Sequence, residues 1–134
     1  MSSQIVWGEL FFSATGRLSR TPFLIASAIL FAAGAIYEAS VGVTLHWLTG
    51  WFVYPALIYC GACVLSKRLH DRGRTGWFAA LILFSLAALW QQAGGLFGAV
   101  FAVVMIWAVV ELGVMPGELG ANRFGLNPLR PAAA

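Results

Sequence analysis

The residues best suited to chemistry lie in one stretch, Lys67-Arg68-Leu69-His70-Asp71-Arg72-Gly73-Arg74-Thr75-Gly76-Trp77. Its four Lys and Arg side chains suit an anion, such as a lipid phosphate or an acidic partner. Each exposed basic residue beside an anionic leaflet is worth about 1 kcal/mol. His70 would add a pH-sensitive donor to a phosphate. An acid–base dyad of His70 and Asp71 is disfavoured, because adjacent helical residues point about 100° apart. Asp71 is instead expected to pair with Lys67, Arg68 or Arg74. No Ser/His/Asp set, paired inward carboxylates or phosphate-cradling glycine motif accompanies these residues, so a non-enzymatic protein without a cofactor or metal is expected.

Two further groups carry potential chemistry. Cys60 and Cys63 have C-x-x-C spacing. Inside an apolar helix, an i, i+3 pair of this kind reads as small packing residues rather than a redox centre. Glu111 lies about one turn before the end of the last apolar run. A carboxylate in lipid is costly unless paired. Glu111 is therefore expected to face the bundle and meet Arg68 or Arg72.

The elements that position these groups follow from composition. The chain has 134 residues, of which 60% are hydrophobic and 10% charged, and its mean hydropathy is +0.84. An ordinary soluble domain carries about 25% charged residues. The composition excludes a disordered chain, and the length leaves no room for a separate soluble catalytic domain beside four crossings. The expectation is an all-α integral membrane bundle of four transmembrane helices, at about 22–43, 48–66, 77–92 and 96–114. An amphipathic lead over 1–21 precedes it as a short interfacial helix, with Ile5, Val6, Trp7, Leu10, Phe11 and Phe12 on its apolar side. A tail over 116–134 follows.

Local signals mark the boundaries. Thr21 can cap the first span, with Pro22 at its first position. Glu38 ends that run, and residues 39–47 form a weakly polar connection. Pro55 predicts a kink near Phe52 to Val53. Gly73 can end the second span in a left-handed conformation, and Thr75 can cap the third, leaving Trp77 at the interface. Ala93-Gly94-Gly95 makes the next turn, and Pro116-Gly117 stops the last span. A signal peptide at the first span, or a non-crossing hairpin from the last two, is the competing arrangement.

Charge sets the orientation. The eight basic residues fall before the first span (Arg17, Arg20), between the second and third (Lys67, Arg68, Arg72, Arg74) and after the last (Arg123, Arg130). An even number of spans puts all three groups on one side, and the positive-inside rule makes that side, with both termini, cytoplasmic.

Three segments carry a family resemblance: Phe11-Phe12-Ser13-Ala14-Thr15-Gly16-Arg17-Leu18-Ser19-Arg20, the loop Arg68 to Trp77, and Gly120-Ala121-Asn122-Arg123-Phe124-Gly125-Leu126-Asn127-Pro128. In order and spacing they resemble the domain of unknown function 805, a family of small bacterial inner-membrane proteins. The resemblance covers about Phe11 to Pro128, and its loop motif is the most specific part. It implies a multi-pass helical protein of the inner membrane and brings no established activity. The chain departs from the usual pattern at Thr21-Pro22-Phe23 and at Leu126.

All three motifs fall on the expected cytoplasmic side, where they would assemble into one cap. Arg17, Arg20, Lys67, Arg68, His70, Arg72, Arg74 and Arg123 are its candidates for binding an anionic lipid headgroup or a protein partner. Asp71, Gly73, Thr75, Trp77, Glu111, Asn122 and Gly125 are its structural members. Asn122 would satisfy groups at a helix end. Small residues at Ala28 and Ala32, and at Gly94, Gly98 and Ala102, permit close helix approach within one chain or in a homo-oligomer. Three functions compete: a scaffold or accessory subunit, an oligomeric channel or transporter with Ser27, Ser85, Glu38 and Glu111 as its polar candidates, and a lipid-modifying enzyme using His70 and Asp71. The basic loop is too short to suggest nucleic acid.

Overall fold

The computed structural model describes residues 6–129. Over those residues the chain forms α1 (Trp7–Phe12), α2 (Arg20–Ser40), α3 (Val43–Asp71), α4 (Phe78–Trp90) and α5 (Gly95–Ala108), which continues as a π-helical turn, Val109–Val114. The residues after it are irregular, closed by one antiparallel bridge between Asn122 and Gly125. Three helical segments, Arg20–Ser40, Val43–Asp71 and Gly95–Val114, are long and apolar enough to cross a membrane. The fourth, α4, is apolar but has only 13 residues.

The lead is less helical than expected. Trp7 and Phe11 stack one turn apart at 6.3 Å, and Leu10 is buried. The helix ends at Phe12, where Ser13 and Thr15 bond each other at 3.0 Å and Gly16 takes a left-handed φ of +90°. Such side-chain bonding competes with continuation of a helix. Ile5, counted in the apolar cluster of the lead, and Arg130 in the tail lie outside the described residues.

The start of α2 also differs. Ser19, not Thr21, occupies the N-cap position, and Pro22 is the third helical residue. All first-turn N–H groups lack an intrahelical acceptor, so proline is tolerated beyond the first position. Between α2 and α3 only Val41 and Gly42 are non-helical, where a connection over 39–47 was expected. His46 and Thr49 continue the helix because their side chains have partners on it and on Tyr37. The helix α3 runs through Pro55 without a break.

The buried apolar residues gather towards one end. Leu10, Phe23, Ala26, Val64, Leu69, Ala79, Ile82, Ala108 and Leu112 form a single cluster. Elsewhere large apolar side chains point outward, as in Trp47, Phe52, Phe84 and Val103. An outward apolar surface of this kind suits a lipid solvent rather than water.

Candidate functional site

The buried end of the bundle is also the cationic end. At its centre is Arg68, fully buried one turn before the end of α3. Its guanidinium donates to the Leu112 carbonyl at 2.7 Å and the Met115 carbonyl at 2.6 Å. It also donates to the Leu18 carbonyl at 3.3 Å and to the Asp71 carboxylate. The last carbonyls of a helix have no intrahelical partner. Arg68 supplies one, across 44 and 47 residues of sequence.

The neighbouring arginines repeat the device. Arg20 donates to the Val114 carbonyl and Arg72 to the Pro116 carbonyl, at 2.7 and 2.6 Å. Arg17, at 1% side-chain exposure, forms the second ion pair of Asp71 at 3.0 Å. It also donates to the carbonyls of Glu118 and Gly120, both at 2.7 Å. Lys67 closes α1 by donating to the carbonyls of Glu9 and Leu10. The planar, multi-donor guanidinium is the side chain that can gather several carbonyls at once.

Asp71 thus sits between two guanidinium groups, with Arg17 and Arg68 as its partners. Of the partners expected from its neighbourhood, Lys67 and Arg74 bond elsewhere. The reason is direction: Lys67 turns towards α1, and Arg74 turns towards α5. Gly117 packs against the Asp71 carboxylate so closely that a Cβ would collide with it. Glu111 pairs with Arg72 at 3.0 Å and Arg74 at 2.7 Å. The expected alternative partner Arg68 reaches the adjacent Leu112 carbonyl instead. The π-helical turn carries these groups, and its wider hydrogen bonding (Met115 N–H to the Val110 carbonyl, 3.0 Å) marks the place where α5 gives way to the network.

A second layer lies over this core. His70 donates from Nδ1 to the Gly16 carbonyl at 2.8 Å. Its ring is stacked on Phe124 at 3.8 Å, and the Arg123 guanidinium lies over the Phe124 ring, 4.7 Å from its centre. Asn122 donates to the His70 carbonyl at 2.9 Å, at the end of α3. Gly73 takes φ +74°, the left-handed residue just past that helix. Thr75 makes only a long contact with the Trp77 N–H, 3.5 Å, and α4 has no side-chain cap. Gly125 closes the Asn122 turn and offers its carbonyl to Arg17 at 3.3 Å. Trp77 is 83% exposed.

The three expected motifs therefore meet in one place, but the candidate binding residues divide. Arg17, Lys67 and Arg68 point inward and bond carbonyls and carboxylates, so they do not form an open cationic surface. Arg20, Arg74 and Arg123 are exposed, and Arg72 and His70 are half-buried. Sequence reasoning did not find the carbonyls that receive the arginines, the stacking of Phe124, or Glu9, Glu118 and Gly117 as neighbours of the site. Pro116-Gly117 was legible as a helix stop, but the carboxylate that packs against Gly117 was not. Of the polar groups considered for a pore, Ser85 bonds the Leu81 carbonyl of its own helix, Glu38 meets His46 and Glu111 is paired with Arg72 and Arg74. Cys60 and Cys63 are free thiols, with Cys63 buried.

A buried arginine network closing a bundle of outward-apolar helices defines a small helical protein of multi-pass membrane type. The chain belongs to the family described as Protein of unknown function (DUF805), which it matches over residues 11–126. It is 32% identical over 125 residues to the uncharacterized protein YiiR of Escherichia coli K12, an alignment covering 85% of this chain and 84% of that one. The same values hold for YiiR of Escherichia coli O157:H7. No solved structure matches the chain significantly.

Proposed function

We propose that the protein is a non-enzymatic scaffold or accessory subunit of the bacterial inner membrane, which holds anionic lipid headgroups or a membrane-protein partner at a cytoplasmic cap. The division of the cations carries this reading. Arg17, Lys67 and Arg68 are fully engaged within the chain, whereas Arg20 and Arg74, each of which also bonds within the chain, and Arg123 remain exposed around the same end. Trp77 stands exposed beside them, at the position of an interfacial aromatic. Arginine near an anionic leaflet attracts phosphate without any enclosed pocket. With the described Lys and Arg residues on one side, the positive-inside rule supports placing that side in the cytoplasm.

Native mass spectrometry from mild detergent tests the reading. The protein is equilibrated with equal amounts of phosphatidylglycerol and phosphatidylcholine. The wild type is expected to retain the anionic lipid preferentially, and the double variant Arg74→Ala, Arg123→Ala to lose that preference with only the small fall in unfolding temperature that loss of the Arg74–Glu111 pair brings. Equal retention of both lipids by the wild type, with no co-purifying protein, would contradict it.

A further inference from the structure

The α4 and α5 helices are shorter than α2 and α3, because the π-helical end of the last crossing, Val109–Val114, lies in the charged network. The α4 helix has 13 residues, which at the helical rise is about 20 Å. A bilayer hydrocarbon core is about 30 Å thick. By contrast α3 has 29 residues.

The contacts of α3 with the turn before α4 and with α4 itself show where the shorter helix stops. Ser66 Oγ lies 3.5 Å from the Gly76 carbonyl. A Cβ added at Gly61 would lie 3.4 Å from Leu83 Cδ2. Both contacts fit one antiparallel register, which carried forward brings Trp90 level with Val53. From there α3 continues to Val43, a further distance of about 15 Å. That upper stretch is apolar and outward: Trp47, Leu48, Trp51 and Phe52 are 64–77% exposed. Beside it the α4–α5 hairpin has already ended, in Trp90, Gln91 and Gln92, all exposed.

A polar turn at that depth conflicts with a flat bilayer. The side-chain amides of Gln91 and Gln92 would have no water to bond in hydrocarbon, although the N–H groups of Gln91, Gln92 and Ala93 bond the carbonyls of Ala87, Leu89 and Ala88. A helix shorter than the bilayer is accommodated by thinning or by association. The residue types at the turn favour the first, since Trp followed by two Gln is an interfacial sequence and not an apolar docking face.

We propose that the α4–α5 flank thins the bilayer locally, so that phospholipid headgroups of the leaflet opposite the cationic end descend to Gln91 and Gln92. The taller α2–α3 pair stays in bilayer of full thickness, and the protein forms a step in the lipid surface. This site is independent of the cationic cap and of its ligands.

Hydrogen exchange of the wild-type protein in phosphatidylcholine vesicles tests this without substitution. The amides of Gln91 to Gly95 are expected to exchange within about tenfold of those at Val41 and Gly42, and to slow as the acyl chains are lengthened. Exchange slowed to the level of the helix interiors would overturn the proposal, because the turn would then be sealed. So would fast exchange indifferent to chain length, which indicates a water-filled crevice. A spin label at Gln91→Cys, in a Cys60→Ala, Cys63→Ala background, separates lipid from a second copy: label–label broadening would show that another chain covers the turn and would also overturn it.

Discussion

The two ends of the bundle are held together by different kinds of contact. At the far end, Tyr37, Glu38, His46, Thr49 and Tyr54 form a polar cluster, with His46 Nε2 2.7 Å from the Tyr54 hydroxyl and Tyr37 bonded to Thr49 at 2.8 Å. Its members lie 8 to 12 residues apart and join only α2 to α3. At the cationic end, Arg17, Arg68 and Asp71 connect residues up to 108 positions apart. The far end is a staple across a tight hairpin. The cationic end is where the chain is closed into one body, and it is closed by full charges bonded to backbone. In a lipid solvent, apolar contact between helices has little driving force, so polar bonds that engage otherwise orphaned carbonyls carry more of the specificity.

The comparison predicts unequal sensitivity to substitution. The largest effect is expected from Arg68→Ala. It strands the Leu112 and Met115 carbonyls and leaves Asp71 with one partner, and breaking a buried pair of this kind costs about 3–5 kcal/mol. Thermal unfolding in detergent should show a large fall in Tm or loss of the folded state. An unchanged Tm would remove the distinction between the ends. Gly117→Ala should also destabilise, by displacing the Asp71 carboxylate it packs against, with a cost of about 1–3 kcal/mol.

Intermediate effects sharpen the contrast. Glu111→Ala removes a carboxylate shared by Arg72 and Arg74, but those partners are 19% and 42% exposed. Water replaces much of what is lost, so a destabilisation of about 1 kcal/mol is expected, measurable as a small fall in Tm. The smallest effect belongs to the far end. Tyr54→Phe deletes the hydroxyl contact with His46 and should cost about 0.5 kcal/mol, the low end for one hydrogen bond. If Tyr54→Phe proved as damaging as Arg68→Ala, the far end would be a second closure site and not a local staple.

Much of this architecture is legible in the residues. The apolar runs placed the helices, Gly73 and Pro116-Gly117 marked real ends, and the three motifs marked the place where distant segments meet. The direction of the cations was not legible. A cluster such as Lys67-Arg68 reads as a solvated face, because the acceptors that turn it inward are backbone carbonyls, which have no sequence signature. The Arg17–Asp71 pair spans 54 residues, and nothing local to Asp71 favours it over Arg74. The early start of α3 at Val43 reflects the same limit: partners for Tyr37, His46 and Thr49 decided what propensity left open.

The central claim is that Arg17, Arg68 and Asp71 act as one buried unit. A double-mutant cycle on Arg17→Gln and Asp71→Asn, read by reversible unfolding in detergent, tests it most directly. The account predicts a coupling of at least about 1 kcal/mol between the two substitutions. Additive effects, with a coupling near zero, would show that the two side chains are independent and would contradict it.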